Sequence, residues 1–185
     1  MFSGKKRLNG SWKVNSKRNP LNKYGLSKKL GEDEIFKSKD LNCLIVRTSW
    51  VFSQYGDNFV KKILKLSRVN SKIDVISDQY GAPTSARSLA KFLSHIVNNL
   101  SKLKNEKVFH FCNKPYCSWF YFAKKIVNNK KLKVKVTPIN SSKNTLKLMR
   151  PKNSKLDYMH TSSKLYYKQE SWERYLKKDL QSINA

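Results

Sequence analysis

The chain has 185 residues, with 39 Lys plus Arg against 12 Asp plus Glu, a formal charge of +27, and 39% hydrophobic and 12% aromatic residues. That is too apolar for a disordered polycation and long enough to bury a core, and no apolar run reaches the ~18–20 residues that cross a bilayer. Met1 to Gly10 is basic with no apolar stretch behind it, so no secretory signal is read there, and three cysteines suit free thiols in a reducing cytoplasm better than a disulfide framework.

In chain order, residues 1–21 are polar, basic and broken by Gly4, Gly10 and Pro20, a loop. Asn22 is positioned to cap a helix running to about Phe36. Cys43–Val46 is a short apolar run of the kind found in strands buried on both faces, and residues 48–57 read as a loop. Asn58 then caps a helix that turns Phe59, Val60, Ile63, Leu64 and Leu66 inward. Ile73–Ile76 reads as a strand, Ser85 to about Leu100 as a helix, Val108–Phe111 as a strand, Ser118–Asn128 as a capped helix and Val134–Val136 as a strand. Residues 140–170 look irregular, and Trp172–Ile183 has the pattern of an amphipathic helix. The alternation predicts an α/β fold.

The charge invites a nucleic-acid reading, because neutralising phosphates releases counterions. The composition argues against it: 32 Lys stand against 7 Arg, and the positives are spread along the chain. Base edges and bidentate phosphate contacts favour arginine. Lysines with 17 asparagines are what an AT-rich coding sequence places on a solvated surface.

Two Tyr-x-x-x-Lys pairs occur, Tyr24 with Lys28 and Tyr121 with Lys125. Four residues apart on a helix, phenol and ammonium share a face, and the ammonium stabilises the tyrosinate. Such a pair can donate a proton to a carbonyl oxygen that becomes an alkoxide. Spacing alone does not choose between the pairs, or between catalysis and a solvated face. His110, Cys112 and Cys117 offer soft ligands within eight residues, but with no fourth ligand or paired-cysteine motif no metal site is expected. His95, among apolar neighbours, reads as packing or surface, and His160 belongs to no motif.

Four ordered blocks carry a resemblance. Pro20-Leu21-Asn22-Lys23-Tyr24-Gly25-Leu26-Ser27-Lys28, continuing to Gly31-Glu32, resembles the active-site helix of the extended short-chain dehydrogenase/reductases. Arg47-Thr48-Ser49-Trp50-Val51-Phe52, Asp78-Gln79-Tyr80-Gly81-Ala82-Pro83-Thr84 and Arg150-Pro151-Lys152-Asn153-Ser154-Lys155-Leu156, with Ser118-Trp119 and Phe122-Ala123, narrow this to the dTDP-4-dehydrorhamnose reductases. The resemblance implies NAD(P)H-dependent reduction of the 4-keto group of dTDP-4-dehydro-L-rhamnose. Tyr24 is then the proton donor and Lys28 the residue that holds the cofactor ribose. Trp50 either packs against the sugar or plugs a strand end, and Asn58, Gln79 and Arg150 line the substrate side. Arg150 is a candidate partner for the diphosphate.

The implied architecture is the C-terminal part of a Rossmann-like reductase. Residues 1–52 and 85–112 would form a residual parallel sheet, and 53–84 and 113–183 a small α/β substrate-binding lobe. Glycines 4, 10, 25, 31, 56 and 81 do not make the glycine-rich pyrophosphate turn. The expectation is therefore a truncated reductase whose cofactor half is absent or comes from another chain, and which is inactive and poorly behaved alone. The expected partners are a dTDP-sugar and that separate chain, with no membrane and no nucleic acid. A non-catalytic, reductase-like binding or regulatory subunit is the alternative.

Overall fold

The structure, a computed structural model, describes residues 1–3, 9–38, 43–103, 107–143 and 150–183. Its elements are α1 (Lys23–Lys37), β1 (Ile45–Arg47), β2 (Val51–Phe52), α2 (Phe59–Val69), β3 (Lys72–Ile76), β4 (Tyr80–Gly81), β5 (Thr84–Ser85), α3 (Ala86–Val97), β6 (Val108–His110), β7 (Cys117–Ser118), α4 (Trp119–Asn129), β8 (Lys135–Ile139), α5 (Met159–Leu165) and α6 (Trp172–Ser182). Caps set the helix starts. The Asn22 side chain accepts from Gly25 N–H at 2.8 Å, Asn58 from Val60 and Lys61 N–H, and Ser118 from Tyr121 N–H.

The described strands pair as four short ladders: β1–β6, β2–β5 and β3–β8 are parallel, and β4–β7 is antiparallel. A sheet buried on both faces is not the rule throughout. In β3, Ile73 and Val75 are buried while Lys72 and Asp74 are exposed, because its outer face meets water. There Asp74 accepts from Thr137 Oγ1 at 2.6 Å and pairs with Lys72 at 3.3 Å.

Among the described residues three apolar clusters form the core. The largest joins α2, α4, α6, β2 and β3 through Phe52, Val60, Ile63, Ile73, Phe122, Ile126, Trp172 and Leu176. A second, around β6 and α3, contains Phe92, Ile96, Phe109, Phe111 and Leu165. Phe2, Ala82, Cys112 and Leu156 make a third, against which Trp12 packs. The region read as irregular contains α5, and residues 10–12, read as loop, are stitched to the 153–157 segment. Trp12 N–H donates to Lys155 O at 2.8 Å and Asp157 N–H to Trp12 O at 2.7 Å.

Candidate active site

Gly25 lets the first turn of α1 approach the N-terminal segment closely: a Cβ there would lie 2.8 Å from Met1 N and 2.9 Å from Pro20 Cβ. The neighbouring Tyr24 points outward, 72% exposed, and Lys28 Nζ lies 5.5 Å from its ring centroid. The Tyr24 hydroxyl has no hydrogen-bond partner among the described residues. The second pair is spent internally. Lys125 Nζ is 3.1 Å from Glu173 Oε1, and Tyr121 Oη donates to that oxygen at 3.4 Å. Those contacts raise the Lys125 pKa, with the Glu173 hydrogen bond the largest cause.

Trp50 ends the β1 loop with φ of +50°, a left-handed conformation that costs a non-glycine residue about 1–2 kcal/mol. Its ring stacks on Trp119 with centroids 3.5 Å apart and planes at 12°. Thr84 N–H holds its carbonyl at 3.1 Å. Gly81 makes room for it, since a Cβ would come within 2.6 Å of Trp50 Cε2 and 2.7 Å of Ser154 Oγ. Gln79, two residues earlier, is 5% exposed. The 150–156 block joins this neighbourhood through Ser154, whose N–H and Oγ both donate to Tyr80 O at 2.8 and 3.0 Å. Asn153 is fully buried and donates to Gly10 O at 2.8 Å. Asp78 is partly buried, which opposes its ionisation, but Ser141 and Lys152 hydrogen-bond its carboxylate and hold its pKa below the usual range.

The other two expected residues stand differently. Asn58 commits its side chain to its own loop: Oδ1 caps α2, and Nδ2 donates to Ser53, Tyr55 and Gly56 carbonyls at 2.9–3.4 Å. Arg150 is exposed at the start of its block.

Beneath α1 lies an ionic network that spacing did not single out. Glu32 accepts from Arg47 Nε and Nη2, both at 2.8 Å, and from Arg18 Nη1 at 3.0 Å. Arg47 Nη1 also donates to Val14 O at 2.9 Å and lies 3.3 Å from His110 Nε2. Burial, with the Arg47 guanidinium second, lowers the His110 pKa to about 4, so the ring is a neutral acceptor. Cys112 and Cys117 are buried thiols pushed up to about 12, the former donating to Leu156 O. Among the described residues no group of three or more His, Cys, Asp or Glu is arranged to hold a metal ion. Of the two readings of His95, packing or surface, the contacts favour packing: Nε2 is 3.0 Å from Leu165 O and the ring lies 5.0 Å from that of Tyr167.

The family model described as "RmlD substrate binding domain" matches residues 1–185. The chain belongs to this family. Among its RmlD relatives, the dTDP-4-dehydrorhamnose reductase of Aggregatibacter actinomycetemcomitans is 31% identical over 188 residues, covering 96% of this chain and 62% of the relative. That of Sinorhizobium fredii is 35% identical over 144 residues, covering 74% of this chain and 48% of the relative. The chain thus spans roughly half to three-fifths of the length of these curated relatives. A crystal structure of the Bacillus anthracis dTDP-4-dehydrorhamnose reductase in complex with NADP superposes with a TM-score of 0.81 at 32% identity, over 94% of this chain and 60% of that one. The Clostridium acetobutylicum orthologue gives 0.84 at 29%, over 96% and 61%. The mixed α/β architecture with parallel strand pairs is therefore that of the RmlD reductases. A Bacillus cereus UDP-glucuronic acid 4-epimerase, 16% identical with a TM-score of 0.73, shares the fold alone. Among the described residues no helix is long and apolar enough to cross a membrane.

Proposed function

We propose that this chain supplies the proton donor and the substrate-binding side of a cytoplasmic, NAD(P)H-dependent reductase that converts dTDP-4-dehydro-L-rhamnose to dTDP-L-rhamnose. The observation that carries the reading is the contrast between the two Tyr-x-x-x-Lys pairs: Tyr24 is exposed with Lys28 beside it, while Tyr121 and Lys125 are engaged by Glu173. The names of the relatives support the substrate, and the NADP bound to the Bacillus anthracis enzyme supports the cofactor.

The exposed face of α1 suits a dinucleotide, with Lys28 Nζ free to meet ribose hydroxyls and Tyr24 Oη free to meet the sugar. A bound nicotinamide cofactor would supply the hydride that reduces C4 of the sugar. Tyr24 donates its proton to the carbonyl oxygen as that oxygen gains charge, and the Lys28 ammonium stabilises the tyrosinate left behind. Trp50, fixed by Trp119 and Gly81, offers an edge to the sugar; Gln79 and Arg150 are the polar groups for the sugar nucleotide and its diphosphate. The β1–β6 pair belongs to the cofactor side, and the α2, α4, β3–β8 layer to the substrate lobe. The glycine-rich turn that would receive the pyrophosphate comes from outside these residues, as a partner chain or segment.

The test joins this chain to the cofactor-binding part of a full-length relative and follows NADPH oxidation with dTDP-4-dehydro-L-rhamnose. Turnover in the parent and a loss of about 10²–10⁴-fold in Tyr24→Phe are expected. Unchanged turnover in Tyr24→Phe would remove Tyr24 as the donor.

A further inference from the structure

Among the described residues helix α1 has almost no apolar anchor. Its buried residues are Gly25 and Glu32, whereas Leu26, Leu30, Ile35 and Phe36 are exposed. Hydrophobic packing, which normally fixes how a helix is rotated on its sheet, is nearly missing here. Glu32 takes over that task. It follows Tyr24 and Lys28 at successive intervals of four, so the three side chains step round the helix by about 40° each. With Glu32 turned inward, Tyr24 is turned out to the open side.

The inward contact is directional. The Glu32 carboxylate receives the Arg47 guanidinium as a two-pronged fork, both bonds 2.8 Å, with the side chains only 7% and 8% exposed. Arg47 is the last residue of β1, and its remaining arm is held by Val14 O and faces His110 on β6. Arg18 closes the other side, with Nη1 on Glu32 and Nη2 2.6 Å from Asp33 Oδ1. A fork fixes angle as well as distance, which an apolar contact of equal strength does not.

We propose that Glu32 and Arg47 are positioning residues for the proton transfer: their buried fork sets the rotation of α1 and thereby aims Tyr24 and Lys28. The inference rests on the reading of Tyr24 as proton donor, and two measurements separate the fates of the two ideas. The first uses the chain as it stands, with nitroxides at Ser27→Cys and Lys65→Cys in a Cys43→Ser background, and reads the distance distribution between α1 and α2. Glu32→Gln should broaden the distribution about twofold while the protein keeps its folded circular dichroism spectrum. A distribution as narrow as the parent's would overturn the anchoring. Arg47→Lys, which keeps the charge and loses the fork, gives the same reading at smaller amplitude and serves if Glu32→Gln does not fold.

The second measurement uses the chain joined to a relative's cofactor-binding part. There Glu32→Gln should lower kcat about 10²-fold with KM for the sugar nucleotide within about twofold, and Arg47→Lys should lower kcat in the same way by a smaller factor. A rise in KM at unchanged kcat would overturn the proposal. Absence of turnover in the parent would count against the proposed activity, leaving the spin-label result to decide the anchoring.

Discussion

A methyl group has no place at Gly81. The Cβ would meet the Trp50 ring at 2.6 Å and Ser154 Oγ at 2.7 Å, and that ring is already pressed on Trp119. Gly81→Ala therefore has to push Trp50 off its stack. The expected result is a loss of about 1–3 kcal/mol in denaturant unfolding together with altered tryptophan fluorescence. Tyr24→Phe should leave the unfolding midpoint unchanged, since the side chain is exposed and its hydroxyl bonds to no described residue; this separates a catalytic loss from a folding one. Asn58 makes the opposite case. Its side chain caps α2 and ties down residues 53–56, so Asn58→Ala should cost about 1–2 kcal/mol in the same measurement, whatever it does to substrate affinity.

At the scale of elements, the helices with an apolar stripe were legible in the sequence: α2, α4 and α6 bury the faces that their spacing predicts, while α3 buries Phe92 and Ile96 and leaves Leu93 of its stripe exposed. The cap at Asn22 placed α1 as well, but not its inward face, where the buried side chain is a charged glutamate whose partners lie on other elements. Spacing also passed over α5, seven residues long and too short to show a period, and β4 and β7, two residues each and paired only by tertiary contact. The α1–β1–β6 junction has a consequence for pH. His110 is fully buried, with its pKa lowered from 6.5 to about 4. The unfolded chain thus binds a proton at a higher pH than the native one, and the contribution of this group is complete above about pH 6.5 and is lost as pH falls towards 4. Its full size is about 3 kcal/mol. His110→Gln should flatten the fall in stability between those limits; an unchanged slope would show that other groups set it. Asp179 on α6 works in the other direction: burial raises its pKa, Arg87 at 3.6 Å opposing, so its cost appears as pH rises. Asp179→Asn should consequently raise the melting temperature at pH 7 and lose that advantage in acid.

For the whole molecule, charge and apolar surface pull against each other. A formal charge of +27 keeps copies apart at low ionic strength. Yet Leu26, Leu30, Ile35 and Phe36 on α1 and Leu93 and Val97 on α3, with Leu100 just beyond, are exposed at 36–62%, and among the described residues β1 pairs on one edge only. Exposed apolar stripes next to an open strand edge favour association. Charge repulsion between copies is screened within a Debye length of about 10 Å at 0.1 M salt and about 3 Å at 1 M, whereas hydrophobic contact is not weakened by salt. Light scattering from the chain alone should therefore stay low in dilute buffer and rise with added sodium chloride, the reverse of what dissociation of a polyanion complex would give. Replacing Leu26, Leu30 and Val97 by glutamate should suppress the rise even though it lowers the net charge. Scattering that remained flat across the salt series in the parent chain would mean that these faces are covered within the chain itself. Scattering that rose equally in the triple variant would assign the association to the lysine-rich surface instead.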